Sequence, residues 1–281
     1  MTLDDNAIAA AFAQPDHDGG FAGDFGRYLR DLGGRRPLVL LAFPPKAAGT
    51  FLRSAAIDAV DGQLVRLVHA QGDRDAQLYL PTLIAYFTGK LCPGILVAHV
   101  HMQALKGNRG LIEALGLKPV AMLRAIPDML ASYWDMLDAG GKDAAGLNCP
   151  VPENFPALAD GAKADFLVDM LGPWYAGYYA TWLGYKSESP QRVCLLDYAD
   201  FRADAAGALA AALAHAGVPQ DRETCEEAVA AAWQDRHALR FNHGERGRGA
   251  ARFSAAQKAR LRRMLGHFAI LSDYADRLVG A

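Results

Sequence analysis

Short continuous apolar runs alternate with longer amphipathic stretches along this chain, and that alternation limits its fold more than any other feature. The runs lie at residues 37–43, 64–69, 95–100, 119–123 and 192–198. Runs this short and this apolar suit strands buried on both faces. Helical spacing covers 50–60, 78–87, 111–115, 128–137, 164–185, 204–216 and 221–233, then about 254–265 and 267–278. A short helix is also expected near residues 25–32. Strands alternating with helices predict a three-layer α/β/α fold with a central parallel sheet. Residues 140–156, rich in Gly, Asn and Pro, read as a loop or lid within one domain of 281 residues rather than as a linker.

Composition narrows the function. With 52% hydrophobic residues the chain can bury a large core, so global disorder is excluded. No apolar run reaches the ~18 residues of a membrane span. The beginning of the chain, with Asp4, Asp5 and Asn6, has no signal-peptide pattern, and a cytoplasmic location is expected. The formal charge of −2 argues against a general nucleic-acid binder. Cys92, Cys149, Cys194 and Cys225 lie far apart, with no zinc spacing, and are expected to be reduced. No metal-ligand cluster is visible, and Cys194 is expected in the core.

Two segments carry charge and hydroxyls where open α/β sheets bind ligands. The first, Phe43-Pro44-Pro45-Lys46-Ala47-Ala48-Gly49-Thr50-Phe51, joins the first strand to a helix. Such a loop turns free backbone N–H groups toward a phosphate or sulfate. Lys46 adds a cation and Thr50 a hydroxyl. The spacing is not the GxxxxGKS/T of a Walker loop, because the lysine precedes the glycine. The second segment places Arg124 at a strand's C-terminal end and Ser132 eight residues later, in a helix. An arginine and a hydroxyl can jointly hold a phosphate.

Together these segments resemble the sulfotransferases that use 3′-phosphoadenosine 5′-phosphosulfate (PAPS). Pro45, Lys46 and Thr50 match the family's PKSGTTW-like loop, with Phe51 in place of tryptophan. Arg124, Pro127 or Asp128, and Ser132 match its RNPxDxxxS-like segment, which binds the 3′-phosphate. The stretch ending Asp197-Tyr198-Ala199-Asp200 matches a YED-like motif, and Tyr198 is implied near the adenine. Residues 242–254 resemble the C-terminal RKGxxGxWxxxFT-like segment. Gly244, Gly247, Phe253 and Ser254 keep register. Asn242 and His243 replace the family's basic pair, and Gly249 its tryptophan. Arg246 and Arg248 are candidates to supply the missing charge, and Trp233 to stack on the adenine. The resemblance spans residues 36–254. It implies PAPS as donor, adenosine 3′,5′-bisphosphate (PAP) as product, and no metal. The expected donor site is Pro45, Lys46, Ala47, Ala48, Gly49, Thr50, Phe51, Arg124, Ser132, Tyr198, Trp233, Gly244, Arg246, Gly247 and Arg248.

The expected reaction moves a sulfonate to a hydroxyl acceptor by in-line attack. A base must take the hydroxyl proton as the bond forms. His99 and His101 share one face of the third strand's end. The family carries a KTH-like triplet there, whose histidine aligns with His101; His99 stands at the lysine position. Lys46 and the loop N–H groups would stabilise the departing bridging oxygen. Tyr133, Trp134, Trp174 and Tyr178 are the acceptor-side candidates among the aromatic residues of two helices, and they suit a small apolar or aromatic acceptor. Two alternatives stay open: a nucleotide or small-molecule kinase on a related fold, and a non-catalytic nucleotide-binding protein. The family's KxxxTVxxxE-like dimer motif is not found in residues 255–281, so oligomeric state is unread. Between Arg236 and Arg263, nine lysines and arginines stand against one acid, Glu245, on an otherwise acidic chain. That basic stretch is expected to close over the nucleotide.

Overall fold

The computed structural model describes residues 20–68, 77–89, 91–139, 149, 151–235 and 247–280. Five strands form one parallel sheet: β1 (Leu38–Leu41), β2 (Gln63–Leu64), β3 (Leu96–His99), β4 (Val120–Leu123) and β5 (Cys194–Asp197). Their order is β2-β3-β1-β4-β5. The chain therefore starts at the centre, builds one side, then crosses to build the other. The change of direction opens a crevice over the carboxyl ends of β1 and β4, where open α/β sheets bind ligands. Every residue of β1 and β4 is buried, which is why both read as uninterrupted apolar runs.

Helices cover the sheet: α1 (Gly20–Gly33), α2 (Gly49–Val60), α3 (Leu80–Phe87), α4 (Lys106–Ala114), α5 (Ile126–Asp138), α6 (Asp160–Glu188), α7 (Tyr198–Ala203), α8 (Ala205–His215) and α9 (Arg222–Gln234). Three more, α10 (Arg248–Arg252), α11 (Ala255–Gly266) and α12 (Ala275–Val279), complete the C-terminal part. Asp204, Asp221 and Ser254, expected as first helical residues, are N-caps instead. Each side-chain oxygen accepts a first-turn N–H, and Ser254 forms a capping box with Gln257.

Some expected elements change. The strand expected at 64–69 is only Gln63–Leu64, an exposed edge pair. The chain leaves the sheet after Val65, whose N–H donates to Val97 O, and Val68 then bridges antiparallel to Leu78. The helix expected at 267–278 divides into a 3₁₀ turn, Ala269–Tyr274, and the short α12. There the Ser272 hydroxyl donates to Ala269 O, the local side-chain bonding that competes with an α-helical ladder. Cys194, expected in the core, is only half-buried. The four cysteines are free thiols.

The longest helix, α6, organises the crevice. It contains Pro173, whose ring removes the N–H that would bond the Asp169 carbonyl. Both residues lie on the exposed face, so water can take that carbonyl. The opposite face carries a row of aromatic hydroxyl and N–H donors. Tyr175 Oη donates to Pro45 O (3.0 Å), Tyr178 Oη to Ala42 O (2.5 Å), Tyr179 Oη to Arg124 O (2.6 Å) and Trp182 Nε1 to Met102 O (2.9 Å). Tyr179 Oη also accepts from Arg124 N–H (3.0 Å). The row thus ties down the chain leaving β1, β4 and β3, which are neighbours in the sheet. Burial pushes the phenols of Tyr178 and Tyr179 well above their ordinary range, so both remain protonated donors.

Tyr179→Phe keeps the packing but leaves both backbone groups of Arg124 without the phenol. A loss of about 1–3 kcal/mol is expected, read as a lower urea midpoint at unchanged slope. An unchanged midpoint would show that the Tyr179 hydroxyl does not hold the β4 end.

Candidate active site

The loop after β1 has a backbone that sequence alone does not announce. Lys46 (φ 64°) and Ala48 (φ 61°) both adopt left-handed conformations, and Ala48 is the N-cap of α2. Neither is glycine, so each costs about 1–2 kcal/mol. Strain of this kind is held at functional sites by the surrounding contacts. Alternating hands also turn successive N–H groups to one side, the concave nest that binds anions. Here Tyr175 holds the loop through Pro45 O, and Arg124 Nη1 holds it through Lys46 O.

Gly49 follows, and its lack of a side chain is required. A Cβ there would lie 2.1 Å from His99 Nε2. His99 therefore packs directly beneath the start of α2. Its ring meets His101 edge-on, with centroids 4.7 Å apart, and Phe43 at 6.3 Å. His101 is 8% exposed, and its Nδ1 lies 2.8 Å from Phe43 O. A carbonyl can only accept, so Nδ1 carries the proton. In the neutral ring Nε2 then keeps the lone pair, which makes it the basic nitrogen.

Arg124 stands at the end of β4, with its guanidinium against the loop at Lys46 O. Its guanidinium lies 3.9 Å over the Tyr198 ring. Its Nε is buried and has no hydrogen-bond partner among the described residues. A buried guanidinium N–H without an acceptor suits an anion placed beside it. Ser132 lies half-buried on α5. The Lys46 ammonium extends toward the same helix, 3.0 Å from Met136 Sδ and 5.0 Å from the Tyr133 ring centre. A cavity of about 510 Å³ opens beside this region, with Arg124, Asp128, Tyr198, Gly247 and Arg277 in its walls.

The structure places the remaining expected site residues as follows. Tyr178, expected on the acceptor side, is fully buried, and its hydroxyl donates to Ala42 O. Trp174, half-buried, stacks on it at 5.6 Å. Trp134 is also buried, with Nε1 donating to Asp138 (2.8 Å) and its ring against Phe253. Phe51 is buried between Phe201 and Trp233 and so supports the loop from below. Trp233 is half-buried, 4.9 Å from Phe51, with the Arg202 guanidinium 5.2 Å from its ring centre. Gly244 and Arg246 lie outside the described residues, as do Asn242 and His243.

Among the described cations of the basic C-terminal stretch, Arg248, Arg252 and Arg260 are engaged by acids of neighbouring helices. Arg248 and Arg252 both pair with Asp135 of α5, at 2.5 and 2.6 Å. Arg260 pairs with Asp165 and Asp169 of α6. Arg248, expected to offer its charge to a phosphate, is already held by Asp135. Two turns earlier, the Asp128 carboxylate accepts from Gly247 N–H (3.0 Å) and Gly249 N–H (2.9 Å). Gly249 fits because a Cβ would lie 2.4 Å from Pro127. Asp128 and Asp135 are seven residues apart, on one face of α5, and bind α10 to that helix. The spacing of those two acids is visible in the sequence, but their partners are not.

No family model matches the chain, and no curated protein sequence matches it. Among solved structures, it is similar to the crystal structure of mouse sulfotransferase SULT7A1 complexed with PAP. The TM-score is 0.57 at 15% identity, covering 90% of this chain and 92% of that one. The fold is therefore the sulfotransferase α/β fold, with its all-parallel five-stranded sheet. No helix among the described residues is long and apolar enough to cross a membrane.

Gly49→Ala should destabilise the protein by about 1–3 kcal/mol, the usual cost of forcing extra volume into packed space. His99→Ala in the same chain should recover most of that loss, a coupling measurable in a double-mutant denaturation cycle. Additive effects would mean that His99 is not what excludes a side chain at Gly49.

Proposed function

We propose that this protein is a sulfotransferase that moves a sulfonate group from PAPS to the hydroxyl of a small apolar or aromatic molecule. The observation that carries this reading is the Arg124 guanidinium. It is tied to the Lys46 carbonyl, stacked on Tyr198, and left with a buried Nε donor at the crevice. A strained anion nest on one side and an unsatisfied cationic donor on the other suit a substrate with phosphate groups at both ends. The fold shared with a PAP-complexed sulfotransferase supports the same class. PAPS supplies the sulfonate and leaves as PAP.

In this reading the loop N–H groups and Lys46 hold the 5′ end of the nucleotide, and Arg124 with Ser132 the 3′-phosphate. His101 is the base. Its Nδ1–H is fixed on Phe43 O, so Nε2 receives the acceptor's proton. The acceptor oxygen forms the new bond to sulfur while the bond from sulfur to the bridging oxygen breaks. Negative charge grows on that oxygen, where Lys46 and the loop N–H groups stabilise it. His99 fills the space beneath Gly49 and sets the loop's height over the base. The compartment proposed is the cytoplasm, with donor and acceptor as small-molecule partners.

PAP should raise the melting temperature more than ATP with magnesium at equal concentration. The reverse order would favour a kinase, and no response to either nucleotide would remove both readings. Lys46→Ala or Arg124→Ala should weaken PAP binding by about tenfold or more, as for a lost charged hydrogen bond. His101→Ala should bind PAP normally by calorimetry yet lose roughly 100-fold or more in transfer rate. Retained transfer would remove His101 from the role of base.

A further inference from the structure

The C-terminal helix α12 forms part of the wall of the crevice, through Asp276, Arg277 and Val279. Leu278 and Val279 are buried, and Arg262 donates to Gly280 O (2.9 Å), so the helix end that carries Arg277 is anchored. Arg277 Nη2 then forms an ion pair with Asp197 Oδ2. Asp197 is the last residue of β5 and lies opposite Leu123, the residue before Arg124. Its other oxygen, Oδ1, caps α7 by accepting from Ala199 N–H (2.5 Å). Tyr198, on which Arg124 stacks, lies between these two contacts in the chain. Arg124, Asp197, Tyr198 and Arg277 all line the same cavity.

We propose that Arg277 is a positioning residue for the donor site, acting through Asp197 on the Tyr198–Arg124 stack. The reason is electrostatic. The Asp197 side chain is only 13% exposed. Without Arg277, its Oδ2 charge stands uncompensated in the cavity wall that also contains Arg124. That carboxylate then pulls on the Arg124 guanidinium of the same cavity wall, off Tyr198 and away from the anion. With Arg277 in place, Asp197 is satisfied on both oxygens and Arg124 stays directed at the ligand. The Tyr179 phenol, bonded to the Arg124 backbone, feels the positive charge of both arginines. Arg277 is itself half-exposed, and pairs of that kind add little to global stability. Its effect therefore belongs in ligand affinity rather than in the melting temperature. The proposal rests on the reading of Arg124 as the 3′-phosphate ligand.

The test is a cycle on the full chain, using Arg277→Gln, Asp197→Asn and the double variant. Titration calorimetry with PAP and with adenosine 5′-monophosphate, which lacks the 3′-phosphate, supplies the readout. Arg277→Gln should weaken PAP about tenfold, on the scale of indirect coupling, and change the monophosphate by less than about twofold. In the Asp197→Asn background the same change should have almost no effect, because no stray carboxylate remains. Arg277→Lys, which keeps the charge, should recover most of the PAP affinity. Unchanged PAP affinity in Arg277→Gln overturns the proposal and leaves the functional reading standing. So does an equal loss for both nucleotides, or a loss that persists in the Asp197→Asn background. A parent protein that prefers neither nucleotide overturns the functional reading and the positioning role together.

Discussion

The crevice depends on one row of hydrogen bonds. Along a parallel sheet the carboxyl ends of the strands release carbonyls and N–H groups that no neighbouring strand satisfies. Left buried and unpaired, each would cost about 1–3 kcal/mol. Helix α6 crosses that edge, and Tyr175, Tyr178, Tyr179 and Trp182 meet these groups in turn. Long aromatic side chains are needed because the helix axis must stand off the sheet, while the polar atom must still reach the backbone. The same rings fill the space between. The row therefore packs the core and fixes the loop at Pro45, the turn at Arg124 and the end of β3 at Met102. Rigid ends allow the strained Lys46–Ala48 backbone to persist.

That role explains why the aromatic residues read as acceptor contacts in the sequence. The helical spacing of Trp174, Tyr175, Tyr178, Tyr179 and Trp182 fits a core stripe and a pocket wall equally well. Composition cannot separate them, since a phenol suits either place. The difference lies in the distance from the helix to carbonyls more than 50 residues away in sequence. By contrast, β1 and β4 are legible because they are buried on both faces, which leaves no polar alternation to interpret. Asp204, Asp221 and Ser254 are visible as helix beginnings because capping chemistry is local. The loop at 43–51 and Arg124 are legible in position from strand ends alone. Their connection, guanidinium to the Lys46 carbonyl, requires the sheet order.

The charge pattern shows the same division between local and distant information. The basic stretch at 236–263 stands out in the sequence, and an anionic nucleotide is the simplest partner for it. In the folded chain, acids of α5 and α6 take up Arg248, Arg252 and Arg260. Asp135 binds two arginines, and both of those pairs are partly screened from water. Such pairs fix geometry more than they stabilise, because each ion loses hydration in forming them. Their consequence is register: α10 is laid along α5, and the Asp128 carboxylate closes the arrangement on two glycine N–H groups.

Engaged arginines change how the crevice would hold the proposed nucleotide. In the proposed reading the anion is held at the strand ends by Lys46 and Arg124, while Arg248, Arg252 and Arg260 are committed to Asp135, Asp165 and Asp169. Neutral groups touch both of them. Lys46 meets Met136 and the Tyr133 face, while Arg124 meets the Lys46 carbonyl and the Tyr198 face. The Arg124 guanidinium, directed by a carbonyl and an aromatic face, keeps more of its field than one paired with a carboxylate. Carboxylates thus assemble the wall of the crevice, while a carbonyl and a ring aim Arg124 within it. At Arg124 an entering anion meets a guanidinium already oriented, with a buried Nε donor still to satisfy.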